Sequence, residues 1–422
     1  MRPKEKLLFL GVDSSTEAAL AYAKELGVST VITDYYGPEK EPLKSAADDY
    51  WMIDVTDLDL LEETCKKEGI TGIFAGNHEL CLDMAGILCK KLGFPFYCSE
   101  KAWEIARDKS LFKDLCLECG LDVPPGYETN DLLQTDIPKK IKYPVVVKPS
   151  DASSQKGFSV CRDETELETG YRKALNYSDN KSIIIEQYME GLEIDILYYV
   201  DDGVPHLISI SDNLPVYIND RWNFCMIPNQ SRFFDLYVEE MSEKIEKLIQ
   251  KIDYCNGGLL FQAIVQNGKF YFIEMAVRLD GAGCWYNAAA CYGFNILHCM
   301  VNLALGRKNV INWEIFDFHP NTMRSAIYFV WGIPGQIAAI EGVDALNTME
   351  GVSVILDRFK TGDIIEKTDN MTQIAWYLSI TADSTETLIE KVHLINNTLK
   401  IYDENGRNLA VYYDDFNALE KY

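Results

Sequence analysis

The stretch QAIVQNGKFYFIEMAVRLDGAG, residues 262–283, carries the pattern on which the fold turns. Two runs rich in β-branched and aromatic residues flank Asn267-Gly268. Asn-Gly between such runs is a strong hairpin signal, because both residues tolerate the positive φ the turn demands. Glu274 follows the returning apolar run Phe270–Ile273 directly, and Arg278 lies further along the same chain, ahead of Asp280-Gly281-Ala282-Gly283. Antiparallel pairing can bring Gln262 and Glu274 onto neighbouring strands. Two oxygen-bearing side chains held at a strand end make a platform for magnesium, which takes one or two protein ligands and completes its shell with phosphates and water. Arg278 is placed to reach a substrate anion.

Upstream, residues 183–195 read IIIEQYMEGLEID. An apolar strand delivers Glu186, and a glycine turn at Gly191 precedes Glu193. That order suits a hinge between two lobes. Main-chain groups near Tyr188 and Met189 can read an adenine edge, and the Glu193 carboxylate can accept from ribose hydroxyls. Further upstream still, Lys148–Gly157 joins two predicted strands with small residues, one glycine and two lysines. Small side chains let backbone N–H groups approach phosphate, and lysines add point charge. It is not a P-loop of the form G-x-x-x-x-G-K-[ST], which must open a helix.

The first hundred residues alternate continuous apolar strands (Leu7–Val12, Thr30–Thr33, Ile70–Ala75) with helical stretches (Thr16–Leu26, Asp57–Glu68, Glu79–Leu92). This predicts a parallel sheet covered by helices on both faces. The first strand-to-helix turn, Gly11-Val12-Asp13-Ser14-Ser15, has one glycine where a dinucleotide fingerprint needs three. Val123-Pro124-Pro125-Gly126 is a breaker cluster and marks a boundary.

The chain has 422 residues with 65 acidic against 40 basic side chains, a formal charge of −25. That balance argues against nucleic-acid partners, whose binding rests on Lys and Arg at phosphates. No apolar run approaches the ~20 residues of a membrane span. Twelve scattered cysteines, with Cys116 and Cys119 the only C-x2-C pair, suit small core residues in a reducing cytoplasm.

Taken together, these residues resemble the ATP-grasp superfamily of carboxylate–amine ligases over nearly the whole chain. The fold so implied is α/β and α+β. It comprises a Rossmann-like preATP-grasp domain (1–108), a two-lobed ATP-grasp domain (109–306; small lobe about 122–187, large lobe about 188–306) and a C-terminal α+β domain (307–422) packed on the large lobe. The resemblance assigns ATP contacts to Lys109, Lys148, Ser153, Ser154, Lys156, Gly157, Glu186, Tyr188, Met189 and Glu193. It assigns metal ligation to Gln262 and Glu274, and the acyl oxygen to Arg278. Glu79, Asp280, Gly281 and Gly283 become substrate contacts.

The implied reaction joins a small-molecule carboxylate to an amine through an acyl phosphate. ATP and magnesium, or manganese, are required, and a cytoplasmic homodimer is compatible. Two positions depart from the family pattern: Gln262 stands where Glu is usual, and Ala276 where Asn is usual. They keep a second reading open, a nucleotide-binding protein with reduced or lost catalysis. The aromatic stretch Tyr217–Phe234, with Arg221 and Arg232, is a candidate lining for the substrate pocket.

Overall fold

The computed structural model describes residues 5–127, 141–152, 156–219, 221–319, 323–368 and 371–422. Ser153 and Ser154 lie outside them.

The N-terminal unit is a four-stranded parallel sheet in the order β3-β2-β1-β4, built from β1 (Lys6–Leu10), β2 (Ser29–Thr33), β3 (Asp49–Trp51) and β4 (Gly72–Phe74). Leu7, Phe9, Ile32 and Phe74 pack on α1 (Thr16–Glu25) and on the helix Ile296–Ala304. Leu8, Leu10, Val31 and Ile73 pack on the other side, against α2 (Leu58–Glu68) and α3 (Glu79–Leu92). Both faces are covered, which is why these strands read as unbroken apolar runs. Helix α4 (Glu100–Arg107), capped by the Ser99 hydroxyl, then leads into α5 (Lys109–Cys119).

A second sheet contains β5 (Gly126–Tyr127), β6 (Val145–Pro149), β7 (Ser159–Cys161) and β8 (Ile183–Gln187), in the order β5-β8-β6-β7. Helix α6 (Glu164–Tyr177) lies on it, closing a small core of Val145, Val147, Cys161, Leu167 and Ile185.

A third, antiparallel sheet runs β10-β9-β13-β14, from β9 (Leu192–Asp201), β10 (Val204–Asp212), β13 (Gly257–Gln266) and β14 (Lys269–Ala276). Asn267 and Gly268 form the β13–β14 turn with φ of 53° and 73°, as the Asn-Gly signal requires. Strand alternation in β9 sets up the site. Ile194, Ile196, Tyr198 and Val200 bury against α5 and against α7 (Phe234–Ile252). Each such side chain contributes about 1.5–3 kcal/mol on burial. On the opposite face Leu197 and Tyr199 join the core under the N-terminal sheet, while Glu193 and Asp195 turn to a cavity.

The chain between the last two pairs crosses into a fourth sheet. Strands β11 (Leu214–Ile218) and β12 (Arg221–Pro228) form a hairpin, and β12 pairs with β15 (Arg324–Gly332) through Met226↔Tyr328 and Ile227↔Ile327. Strands Ile374–Ala382 and Val352–Asp357 extend this sheet, and the helix Thr385–Thr398 packs on it through Leu388, Val392 and Ile395. Residues 214–228, near the middle of the chain, therefore share a sheet with its last hundred residues. No helix among the described residues is long and apolar enough to cross a membrane.

Candidate active site

Helix α5 starts at Asp108, whose carboxylate accepts from Ser110 N at 2.8 Å and fixes the first turn. Lys109, the first helical residue, donates from Nζ to the Ala152 carbonyl at 2.9 Å and lies 3.6 Å from Glu274 Oε1 on β14. One turn on, Lys113 points the same way and pairs with Glu186 on β8. Lys148 on β6 reaches the other oxygen of Glu186 at 2.7 Å. The Glu186 side chain is buried and serves two lysines at once. Burial pulls the Lys148 ammonium down to about 8, with the Lys109 charge acting in the same direction. Burial likewise holds Lys113 well below the ordinary lysine range. Lys113 has no place in the sequence-based site; its signal is the four-residue spacing from Lys109 on one helix face.

After β8, the Tyr188 N–H donates to the Pro144 carbonyl at 3.1 Å, so the ladder takes up an amide expected to face a purine. Lys156 lines the main cavity. Gly157 is buried with φ +73°, and a Cβ there would approach Pro149 Cγ within 2.8 Å.

Gln262 and Glu274 are direct cross-strand partners on β13 and β14. The Gln262 amide donates to Asp195 Oδ1 at 2.8 Å and reaches Glu193 Oε1 at 3.4 Å. Burial raises the Asp195 carboxyl to about 7, and neighbouring Glu193 adds to it; burial raises Glu193 as well. Asp195 is the second residue that the sequence reading passed over, although the E-x-D spacing on a strand puts both carboxylates on one face.

Arg278 donates to Leu279 O at 2.9 Å and to Glu79 Oε1 at 3.2 Å, while its Nε is buried without a partner. Glu79 opens α3, so this contact ties the N-terminal unit to the hairpin. Asp280 accepts from Cys284 N at 2.8 Å and Trp285 N at 3.2 Å, capping α8 (Cys284–Tyr292). Its carboxylate oxygens are thus occupied by main chain. Gly281 lines the cavity. Gly283 does not appear in that lining; it precedes α8 at φ +92°, and its Cβ position faces Ile355 and Ile327.

The cavity measures about 500 Å³. Glu193, Asp195, Gln262, Glu274 and Arg278 form its polar wall, and Phe224, Ile227 and Trp331 close it from the fourth sheet. Of the Tyr217–Phe234 stretch, Asn223, Phe224 and Ile227 line it, whereas Tyr217 and Trp222 are exposed on the hairpin. A smaller cavity of about 150 Å³ shares Glu79, Glu274 and Arg278 and is bordered by Arg107 and Lys109. Lys109 of α5, Lys148 of β6, Glu193 of β9 and Glu274 of β14 therefore lie close enough to feel one another's charge.

Residues 108–310 match the family described as "Carbamoyl-phosphate synthase L chain, ATP binding domain". Over this segment the chain is similar to an ATP-grasp domain. The 2-oxoglutarate carboxylase small subunit of Hydrogenobacter thermophilus is 25% identical over 279 residues, 61% of this chain and 58% of that protein. The carbamoyl phosphate synthase large chain of Sulfurisphaera tokodaii is 26% identical over 313 residues, 70% of this chain and 29% of that protein. The chain thus spans less than two thirds of the length of these relatives.

Around this segment the likeness of fold continues. L-amino acid ligase from Bacillus licheniformis superposes with a TM-score of 0.78 at 17% identity, covering 96% of this chain and all of that one. The biotin carboxylase domain of the H. thermophilus 2-oxoglutarate carboxylase, solved with MgADP, ADP and bicarbonate, gives 0.78 at 20% identity, over 95% and 91% of the two chains. The mixed α/β and α+β class expected from the sequence is the class observed.

Proposed function

We propose that the protein is an ATP-dependent ligase joining a small-molecule carboxylate to an amine through an acyl phosphate. The observation that carries this reading is the meeting of Lys109, Glu274 and Arg278 at one small cavity, with Lys148 close enough to feel the charges of Lys109 and Glu274, beside the 500 Å³ cavity. Phosphoryl transfer asks the protein mainly for positioning and for charge stabilisation. Lys109, Lys148 and Lys156 hold the triphosphate in this proposal, with Ser153, Ser154 and Gly157 in the covering loop. Met189 and Tyr188 flank the base, Glu193 takes the ribose, and Glu186 positions the lysines.

Glu274 and the Gln262 carbonyl oxygen fit a magnesium or manganese ion. They are adjacent on paired strands, and the amide nitrogen of Gln262 already faces Asp195, so its oxygen points elsewhere. Among the described residues no three His, Cys, Asp or Glu side chains converge on one point. An ion relying on two protein oxygens and on phosphates suits that donor set. When bound, the ion supplies charge neutralisation for the phosphates.

The substrate carboxylate attacks the γ-phosphorus, and the bond to ADP breaks. Arg278, with its unpartnered Nε, holds the acyl oxygen while the amine displaces phosphate. Glu79 orients Arg278, and Gly281 leaves room beside it. We place the domain divisions at 1–108, 109–306 and 307–422, with the β11–β12 hairpin lending the third domain's sheet to the second domain's cavity. A cytoplasmic setting belongs to the same proposal, supported by twelve unpaired cysteines. So does a homodimer.

A specific observation favours a second reading, nucleotide binding without turnover: Ala276 offers no ligand beside Glu274, and Gln262 brings no charge. ADP release measured with pooled carboxylates and amines, with magnesium and with manganese, separates the two. Stimulation by a carboxylate–amine pair supports the ligase. Nucleotide binding with no release under any pair supports the second reading.

A further inference from the structure

Two charged groups on the wall of the 500 Å³ cavity differ in their surroundings. One is Arg278, with a buried, unpartnered Nε donor. The other is Asp195, 6% exposed, whose side-chain partners are the neutral amides of Gln262 and Asn213 rather than a cation. Beside it Asn213, 8% exposed and also lining the cavity, has its Oδ1 buried with no donor. A carboxylate held by neutral amides and an amide oxygen without a donor call for a ligand rich in N–H groups. A primary ammonium carries three. A buried carboxylate with no cation is also costly, and a cationic ligand relieves that cost.

The fourth sheet adds an apolar stretch of wall, Phe224, Ile227 and Trp331, with Asn223 beside them, and Met371 and Thr372 complete that side. Among the described lining residues only Lys156 and Arg278 are cationic. In the ligase reading above, Lys156 serves phosphate and Arg278 the acyl oxygen. Among the described residues that line this cavity, neither is then left to pair with a carboxylate on the amine substrate.

We propose, resting on that ligase reading, that the acceptor is a primary amine on an apolar body that bears no carboxylate of its own. Its ammonium sits on Asp195 and Asn213, and its body lies against Phe224, Ile227 and Trp331.

Isothermal titration of the full chain with magnesium and β,γ-methylene-ATP, then with amine probes, tests this. Phenethylamine is expected to bind at least about tenfold more tightly than phenylalanine or 3-phenylpropionate. Asp195→Asn should weaken phenethylamine by about tenfold or more. Met371→Lys, a change of similar side-chain length on that side, should admit phenylalanine and narrow the gap between the two. Phenylalanine binding as tightly as phenethylamine in the unaltered protein, or phenethylamine indifferent to Asp195→Asn, overturns the proposal. Failure of the nucleotide analogue to bind would instead overturn the ligase reading. The amine series is therefore also run without nucleotide, where the same ranking is expected.

Discussion

Gln262 gives its side-chain amide to Asp195 across 2.8 Å, from one central strand to the next. A glutamate at this position would set a third carboxylate against Asp195 and Glu193, with Glu274 directly opposite on β14. The amide does the reverse and supplies the donor that a buried Asp195 needs. What reads in the sequence as a weakened metal ligand is, in the fold, a neutral bridge between acidic side chains.

Gln262→Glu removes that donor and adds charge. An unmet buried acceptor costs about 1–3 kcal/mol. The variant should melt below the unaltered protein at pH 8 without divalent ions. The gap should shrink near pH 5, where the clustered carboxylates can share protons. Magnesium should raise the melting temperature of the variant more than that of the unaltered protein, because the added charge strengthens the platform with Glu274. Equal magnesium responses would count against Gln262 as part of a metal site.

Lys148 gives a pH signature. Its ammonium is pulled from the ordinary lysine value to about 8, so its charge is lost as pH rises through that point. A bound triphosphate favours the charged form, so above pH 8 binding must be accompanied by proton uptake. Nucleotide affinity should then fall, by up to about tenfold per pH unit, until the higher pKa of the complex is reached. Lys148→Arg keeps its charge throughout and should flatten the slope. Calorimetry between about pH 7 and 9.5 measures both; a slope unaltered by the substitution would remove Lys148 from the phosphate site.

The shared partner of Lys113 and Lys148 separates two kinds of damage. Glu186→Gln leaves two buried ammonium groups against a neutral amide, and breaking such a pair costs about 3–5 kcal/mol. Lys113→Met leaves a balanced pair of Lys148 and Glu186 and should cost far less stability. It should nonetheless weaken nucleotide binding by removing positive charge from the cleft. Chemical denaturation and nucleotide titration of the two variants should therefore rank them in opposite order: Glu186→Gln worse in stability relative to its binding loss, Lys113→Met worse in binding relative to its stability loss.

Local signals made much of this legible in advance. The Asn267-Gly268 turn, the unbroken apolar strands of the N-terminal sheet and the Glu274–Arg278 spacing are short-range patterns, and the structure follows them. The β11–β12 hairpin is different. Its alternation reads as an ordinary hairpin, but its partner β15 lies about a hundred residues away, and no local feature names that partner. Trp331 on β15 was hidden for this reason, whereas Phe224 and Ile227 fall in the stretch expected to line the pocket. Asp280 shows another limit: it lines the cavity, but the main-chain donors of Cys284 and Trp285 that its oxygens also accept are not visible in the sequence.

Arg278 has both a structural and a chemical duty in this scheme, and a pair of variants tells them apart. Arg278→Ala removes the Glu79 contact and the unpartnered Nε together. Glu79→Gln weakens the contact and leaves Nε in place. The ion pair lies between partly exposed groups, so its loss should cost about 1 kcal/mol or less. If Arg278 holds the acyl oxygen, Arg278→Ala should lower kcat by about 100-fold or more, with the KM for ATP changed little. Glu79→Gln should then lower kcat only severalfold. Should the two variants lose activity equally, with equal falls in melting temperature, Arg278 would be a tie between the N-terminal unit and the hairpin. The oxyanion role would then pass to another donor in the cleft.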